Sequence, residues 1–174
     1  MALQEVLDKI KAVVGPSGWM SHEDPAVAPW LIDSHGVFTG ACALFVRPAT
    51  TREVSRILAI CHQADVAVVP QGGNTSRCGA ATPDKSGRAI LLNLGRMNAI
   101  RAIDADNYSI TVEAGCILQT VQQTAENAGR YFPLSLGALG SCQLGANLPT
   151  NAGGINVLRY GNTRDLVLGL ELVL

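Results

Sequence analysis

A cluster of glycine and small polar residues follows an apolar, β-branched run near position 70. The stretch "VPQGGNTSRCGA" extends from Val69 to Ala80 and comes directly after Val66-Ala67-Val68. Glycine is costly in conformational entropy, so a group of glycines at the end of a strand needs a reason. Consecutive backbone N–H groups can wrap a pyrophosphate, and the hydroxyls of Thr75 and Ser76 add to them. A tight structural turn is the alternative, and spacing alone does not decide between the two.

A second glycine-rich region, "SLGALGSCQLGANLPTNAGGINVLRYG", shows little periodicity and offers polar groups that include Ser141, Thr150 and Asn151. Two such regions in one small chain suggest one ligand that both contact. The sequence lacks the G-x-x-x-x-G-K-[ST] pattern of a P-loop, and no G-x-G-x-x-G opens a helix. A P-loop NTPase is therefore disfavoured, and a Rossmann domain is unsupported.

The other residues that could do chemistry are scattered. None of the three histidines has paired ligand spacing, so we expect no metal site. The five cysteines are interpreted as small apolar core residues, although Cys142 lies inside the second glycine-rich region. Asp104 and Asp106 fit a hairpin turn better than a carboxylate pair. Arg77 either pairs with a phosphate oxygen or points into solvent.

Composition limits the class of protein. The chain has 174 residues, a formal net charge of −1 and 5% aromatic residues, which argues against nucleic-acid binding. The cysteines form no C-x-x-C pair, and their scatter does not indicate a disulfide framework. No secretory signal and no membrane-length apolar run is present. These features predict a cytoplasmic location.

The hydrophobic pattern predicts alternating helices and strands after an N-terminal amphipathic helix and an irregular connection. A helix capped by Thr50 or Thr51 joins two strands, and the unit is expected to be a parallel β-α-β. The final apolar run has no turn signal, which suggests a piece of a longer polypeptide. The predicted strands are Cys42–Val46, Val66–Val69, Ala89–Leu94, a hairpin within Ile100–Ala114, and Leu166–Leu174; the later helix is Ile117–Asn127, ended by Gly129.

Four segments in order carry a family resemblance: "RPATTREVSRILAICHQADVAVVPQGGNTS", "VEAGCIL", "GSCQLGANLPTNAGG" and "RYGNTRDLVLGLELVL". From about Ser34 to Leu174 the chain resembles the FAD-binding domain of the vanillyl-alcohol oxidase and p-cresol methylhydroxylase family. Within that family it looks most like the D-2-hydroxyacid dehydrogenase branch. The resemblance implies an α+β fold with a small β-α-β lobe, a larger mainly antiparallel sheet flanked by helices, and FAD between them. Residues 1–40 would be a lead-in and residues 41–174 the FAD-binding domain.

The resemblance also implies which residues contact FAD. The glycine loop matches the family's pyrophosphate-binding turn, and Pro133–Gly154 matches the second flavin-contacting stretch. The loop contains no histidine for covalent attachment, so non-covalent FAD is expected. Gly79-Ala80 stands where the family commonly has two glycines. The implied contacts are Pro70, Gln71, Gly72, Gly73, Asn74, Thr75, Ser76, Arg77, Ala80, Ala81, Pro133, Leu134, Gly140, Ser141, Gly145, Thr150, Asn151, Ala152 and Gly153.

The implied activity is oxidation of a 2-hydroxy acid, of the D-lactate, glycolate or D-2-hydroxyglutarate type, by hydride transfer to FAD. The family's substrate-binding cap is missing, so the chain is expected to bind FAD without catalysis, with no catalytic residue of its own. The small-molecule substrate would bind through that cap, and the electron acceptor is open. Two alternatives remain: a non-catalytic nucleotide-binding or assembly module, and the related reductase of peptidoglycan precursor synthesis.

Overall fold

A computed structural model describes residues 2–174 and divides them into two compact units. The first unit extends to Arg96 and takes in Val173–Leu174, and the second is Met97–Leu172. The α-helices of the two units together are α1 (Leu3–Val14), α2 (Thr51–Gln63), α3 (Leu118–Asn127), α4 (Leu144–Asn147) and α5 (Val157–Tyr160). The strands are β1 (Trp19–Ser21), β2 (Leu44–Val46), β3 (Val68–Gln71), β4 (Ile90–Asn93), β5 (Ile100–Asp104) and β6 (Ser109–Val112).

The first unit is built on a four-stranded sheet in the order β1-β2-β4-β3. β2 and β3 are both parallel to β4, so the predicted parallel β-α-β unit is confirmed, with β4 lying between its two strands. β2 and β4 are buried along their whole length. The apolar positions of α1 recur every four residues, and Val6, Ile10 and Val14 therefore pack together in the core.

The cap of α2 fixes where the β-α-β helix begins. Of the two threonines considered, Thr50 is the cap: its Oγ1 accepts a hydrogen bond from the Glu53 N–H at 3.1 Å. The Glu53 carboxylate in turn accepts from the Ala49 N–H at 2.7 Å. This reciprocal pair satisfies two backbone donors at the helix start. From there α2 turns Val54, Ile57 and Cys61 toward the core.

In the second unit β5 and β6 form the predicted antiparallel hairpin. The Asp104 carboxylate accepts hydrogen bonds from the Asn107 backbone N–H at 3.1 Å and from its Nδ2 at 2.7 Å, which lowers the pKa of Asp104. The turn interpretation of Asp104 is therefore confirmed. Gly129 follows α3 with φ of 68°, the left-handed conformation that ends many helices.

The α+β class is confirmed, but the structure differs in three places from the elements that the sequence predicted. The connection after α1 contains a strand, β1, which pairs antiparallel with β2; its short, Gly- and Pro-flanked sequence hid it. The second glycine-rich region contains the single-turn helices α4 and α5. Leu166–Leu174 is not a strand, since no other described segment pairs with it. Consequently the described part of the second unit has two strands, and the larger sheet lies in the first unit.

We expect the stability of the first unit to fall between about pH 9 and about pH 11. Burial raises the pKa of the Cys42 and Cys61 thiols to about 11 each. An unfolded thiol loses its proton at lower pH, so rising pH favours the unfolded state. Urea unfolding at about pH 8 and about pH 10 measures the effect. Cys61→Ala should reduce the drop, whereas Cys78→Ser, at an exposed thiol, should not; equal drops in both variants would contradict this cause.

Candidate functional site

The glycine loop after β3 presents a run of backbone donors. Within the described residues, no acceptor receives a hydrogen bond from the backbone N–H groups of residues 72–77. Gly72 is buried, the next four residues are half-buried and Arg77 is exposed. Consecutive backbone N–H groups that no described acceptor uses, directly after a strand, can bind an anionic ligand.

Gln71 anchors the start of this loop. Its side chain is 2% exposed, and its Nε2 donates to two backbone carbonyls, those of Trp30 and Ala81, at 2.9 Å each. One amide therefore joins the end of β3 to the lead-in segment and to the far end of the loop. The sequence predicted Gln71 as a cofactor contact; the structure shows that its side chain holds the loop in shape.

A second buried amide side chain, that of Asn93 at the end of β4, also forms a hydrogen bond to the loop. Its Nδ2 donates to the Gly72 carbonyl at 2.9 Å, and its Oδ1 accepts from the Gly95 N–H at 2.9 Å. The Gly72 carbonyl is thereby turned toward the protein interior. Sequence reasoning missed Asn93, although a polar residue closing an otherwise apolar strand was an available signal.

Asn74 holds the middle of the loop. It adopts φ of 53°, which asparagine tolerates better than most residues. Its Nδ2 donates to the carbonyls of Ile32 at 2.7 Å and Pro29 at 3.2 Å. Next to these acceptors, the Ser34 hydroxyl donates to the Ser76 carbonyl at 3.2 Å. The loop is thus fixed by side chains on both segments.

The lead-in segment is itself braced by Asp33, which is 5% exposed. Its carboxylate accepts from the N–H groups of Phe38 at 2.6 Å and His35 at 3.1 Å, and these bonds lower the pKa of Asp33. The Phe38 ring in turn fills the space beside Gly79. A Cβ at Gly79 would come within 2.8 Å of that ring, and its φ is 70°, so this position requires glycine.

The second glycine-rich region is held by close backbone approaches. Gly154 has φ of 106°, and a Cβ there would collide with the Ser135 carbonyl oxygen. A Cβ at Gly153 would come within 2.8 Å of the Asn162 Oδ1. Asn151 adopts φ of 48°, and its Oδ1 accepts from the Arg164 N–H at 3.0 Å. The "TNAGG" stretch is therefore a fixed turn whose conformation these residue types make possible.

Several predicted contacts in this region have a structural partner. Leu134 is buried and its carbonyl accepts from Gln122 Nε2 at 2.6 Å. Gly145 lies against Ala114, where a Cβ would approach the Ala114 Cβ to 2.6 Å. The hydroxyls of Ser141 and Thr150 donate to nearby carbonyls at 3.3 Å and 3.4 Å, and both residues are exposed. Gly140 is exposed and Pro133 half-buried.

Two polar residues that the sequence did not single out are buried here. Thr163 donates from Oγ1 to the Ala152 carbonyl at 2.7 Å and fixes the turn from the opposite side. Gln143 is 7% exposed, and its Oε1 has no hydrogen-bond partner among the described residues. Gln143 lies between residues of the predicted flavin stretch, and its unsatisfied oxygen was not visible in the sequence.

The described cysteine and histidine side chains give little indication of a nucleophile or of a metal site. Cys142 is buried, which raises the pKa of its thiol, and its Sγ receives a hydrogen bond from Asn147 Nδ2 at 3.7 Å. His22, His35 and His62 are exposed. Across residues 2–174, no group of three or more His, Cys, Asp or Glu side chains is placed to hold a metal ion. No described helix is long and apolar enough to cross a membrane.

Solved structures share the fold of this chain. Alkyldihydroxyacetonephosphate synthase superposes with a TM-score of 0.84 at 20% identity, over 94% of this chain and 32% of that one. The 6-hydroxy-D-nicotine oxidase of Arthrobacter nicotinovorans gives a TM-score of 0.73 at 20% identity, over 87% of this chain and 32% of that one. These superpositions confirm the predicted α+β fold.

Sequence comparison then identifies the family. A family model described as an FAD binding domain matches residues 42–174, so the chain belongs to that family and FAD is confirmed as the cofactor. A probable mitochondrial D-2-hydroxyglutarate dehydrogenase of Oryza sativa subsp. indica is 43% identical over 94% of this chain. A mitochondrial D-2-hydroxyglutarate dehydrogenase of Bos taurus is 45% identical over 78%. A putative mitochondrial D-lactate dehydrogenase of Schizosaccharomyces pombe is 41% identical over 94%.

The same relatives show how much of their own length this chain matches, and they correct one prediction. The chain spans 29%, 24% and 32% of the rice, bovine and yeast proteins, respectively. The resemblance to the D-2-hydroxyacid dehydrogenase branch is confirmed. The predicted cytoplasmic location was wrong, since these relatives are mitochondrial proteins. That prediction rested on scattered cysteines and a missing secretory signal, which argue against secretion but do not distinguish between compartments inside the cell.

Proposed function

We propose that this chain binds FAD non-covalently and forms the FAD-binding part of a dehydrogenase that oxidises a 2-hydroxy acid. One observation carries the cofactor assignment: the run of unpartnered backbone N–H groups in residues 72–77. The names of the relatives support the substrate class, which is D-2-hydroxyglutarate or D-lactate in the proteins they describe.

The loop fits the charged centre of FAD. A pyrophosphate offers only hydrogen-bond acceptors at neutral pH, so it requires donors, and the loop supplies N–H groups that no protein acceptor uses. Arg77 is exposed at the end of the run, where its guanidinium can approach a phosphate oxygen. No histidine occurs in residues 69–80, which supports non-covalent binding through this loop.

When bound, FAD supplies the hydride acceptor for oxidation of the substrate's C–H bond. This chain's own part is to hold and orient the cofactor. Gln71, Asn74 and Asn93 keep the loop in its donor-presenting shape. In the second unit, we propose that Thr150–Gly153 form a further set of flavin contacts, supported by the fixed turn around Asn151. We assign residues 41–174 to the FAD-binding domain, supported by the family match over 42–174.

Two variants of Asn74 test the loop. Asn74→Gly keeps the positive φ available but removes two hydrogen bonds, so we expect FAD affinity to fall about tenfold. Asn74→Asp turns a carboxylate toward the carbonyls of Ile32 and Pro29 and brings negative charge near the pyrophosphate. We expect it to weaken FAD binding at least ~100-fold. Titration with FAD, followed by the flavin absorption and fluorescence change, measures both.

The unmodified chain provides the reference for these titrations. It should take up FAD, shift the flavin absorption bands and release intact FAD on denaturation. Flavin that stays attached to the denatured chain would contradict non-covalent binding. A chain that is folded by circular dichroism and leaves the flavin spectrum unchanged would overturn the cofactor assignment. Equal FAD affinities of the two Asn74 variants would contradict the proposal that this loop binds the pyrophosphate.

A further inference from the structure

The turn of residues 33–38, called here the Asp33 turn, is closed by a buried carboxylate. Asp33 is 5% exposed, and its two carboxylate oxygens accept hydrogen bonds from the N–H groups of Phe38 at 2.6 Å and His35 at 3.1 Å. The Asp33 N–H donates to the Phe38 carbonyl at 3.0 Å, and the Gly36 N–H donates to the Asp33 carbonyl at 2.9 Å. A carboxylate is rarely buried unless it is paired, and here backbone donors pair both of its oxygens. These bonds fix the shape of the turn.

The two chain neighbours of Asp33 both contact the glycine loop. On one side, the Ile32 carbonyl accepts a hydrogen bond from Asn74 Nδ2 at 2.7 Å. On the other side, the Ser34 hydroxyl donates to the Ser76 carbonyl at 3.2 Å. Because Asp33 lies between these two contacts in the chain, its position determines where both of them can form.

The far end of the Asp33 turn makes a third contact with the loop. Phe38, whose N–H binds the carboxylate, places its ring beside Gly79, where a Cβ would lie 2.8 Å from the ring. Two of the three contacts fall within residues 72–77, whose backbone N–H groups have no described acceptor, and the third lies just beyond them. The turn therefore supports the part of the loop that presents the donors.

The residue type at position 33 suits this arrangement. An ionised carboxylate only accepts hydrogen bonds, and both groups that its oxygens meet here are N–H donors. The amide of an asparagine would instead direct an NH₂ group at one of the two N–H groups. Asp33 precedes residue 42, where the match to the FAD binding domain begins, so that match does not include it.

We propose that Asp33 is a positioning residue for FAD binding, whose carboxylate sets the shape of the glycine loop through Ile32, Ser34 and Phe38. This inference rests on the proposed function, in which the loop binds the pyrophosphate. Loss of a bond to the carboxylate allows the Asp33 turn to shift. The contacts at the loop shift with it, and the backbone donors lose the common orientation that a pyrophosphate requires.

Titration of Asp33→Asn with FAD tests this role. One of the two backbone N–H groups loses its acceptor, so we expect the dissociation constant for FAD to rise about tenfold. Asp84→Asn is the matched control, because the Asp84 carboxylate also closes a turn in the first unit, with bonds from the Ser86 N–H at 3.0 Å and hydroxyl at 2.6 Å. It should change the constant by less than about twofold. Equal constants for the two variants would overturn the proposal.

A double-mutant cycle separates positioning from general destabilisation. Asp33→Asn and Asn74→Gly are each expected to weaken FAD binding about tenfold, and independent effects would multiply to about 100-fold. Asn74 binds the carbonyl of Ile32, the neighbour of Asp33, so the two changes disturb the same contact. The chain with both changes should therefore bind FAD only about 10- to 30-fold more weakly than the unmodified chain. The full product of the two single effects would overturn the proposal.

Ser34→Ala provides a second variant that leaves the carboxylate in place. It removes the hydrogen bond to the Ser76 carbonyl, and Ser34 is exposed, so the chain should fold even if Asp33→Asn does not. We expect the dissociation constant for FAD to rise about threefold. An unchanged constant would overturn the role of this contact in holding the loop for FAD.

NMR spectra recorded without FAD distinguish a failure of this inference from a failure of the proposed function. In Asp33→Asn, the side-chain amide resonances of Asn74 and the backbone amide resonance of Gly79 should shift, and in Asp84→Asn they should not. An unmodified chain that does not bind FAD would contradict the proposed function, and the shifts would still show whether Asp33 positions the loop. Unshifted resonances of the loop in Asp33→Asn would overturn the positioning role.

Discussion

Replacing Gly154 with valine is expected to destabilise the protein by roughly 2–5 kcal/mol, because strain and overpacking add at that position. Gly154 has φ of 106°, where a β-branched residue is strained, and any Cβ collides with the Ser135 carbonyl oxygen. Neither partner can move cheaply, since backbone approaches backbone. Urea unfolding followed by circular dichroism measures the loss. FAD affinity should fall with it, because the turn at Asn151–Gly153 loses its support.

Gly137→Ala is the matched control for this change. Gly137 lies in the same region, has no atom within 4 Å of a built Cβ and does not have a positive φ. It should change the free energy of unfolding by less than about 1 kcal/mol. If Gly154→Val unfolds at the same urea concentration as Gly137→Ala, the close approach of Gly154 to Ser135 is not a constraint in solution.

Replacing Gln71 with leucine is expected to cost roughly 2–4 kcal/mol and to abolish FAD binding at micromolar concentrations. Leucine has nearly the same size but donates no hydrogen bond. The carbonyls of Trp30 and Ala81 then lose the Nε2 donor that each holds at 2.9 Å. Because the two carbonyls belong to segments on either side of the loop, both should move. Thermal unfolding and FAD titration measure the two effects separately.

Gln63→Leu controls for the change of residue type, since Gln63 is exposed at the end of α2 and should tolerate leucine. The informative comparison is between stability and affinity. A Gln71→Leu protein that is destabilised but binds FAD normally would show that the loop keeps its shape without this amide. In that case the unpartnered N–H groups would not depend on Gln71, and Asn93 would be the principal support.

The sequence predicted regular elements well wherever periodicity and caps agreed. α2 has an apolar face, a capping threonine and a glutamate three residues later, and its observed start matches that pattern. The Asp104 turn and the glycine after α3 were likewise local signals. Each depends on residues close together in the chain. For the same reason β1 was missed: its three residues are defined by pairing with β2 and carry no local pattern.

The position of the site could be predicted from the sequence, but the roles of its residues could be predicted only in part. Glycines and Asn74 marked the loop, because positive φ and backbone access need those residue types. The sequence could not show that the Gln71 and Asn74 side chains donate to the lead-in segment. Those acceptors are main-chain carbonyls, and any residue type can supply one. Gln143 became visible only through burial, which depends on the whole tertiary structure, whereas Asn93 had a signal in the sequence as the polar end of an apolar strand.

The hydrogen bonds that join the glycine loop to the lead-in segment connect residues 41–45 positions apart in the chain. During synthesis, the carbonyls of Pro29, Trp30 and Ile32 leave the ribosome well before the amides that bind them. Contacts of such separation form only after the intervening chain has been closed into a loop, which makes them late in folding. The donor-presenting loop is therefore expected to acquire its shape after the local turns of α2 and together with the sheet, in which β2 and β4 pair Leu44 with Ile90 across a similar separation.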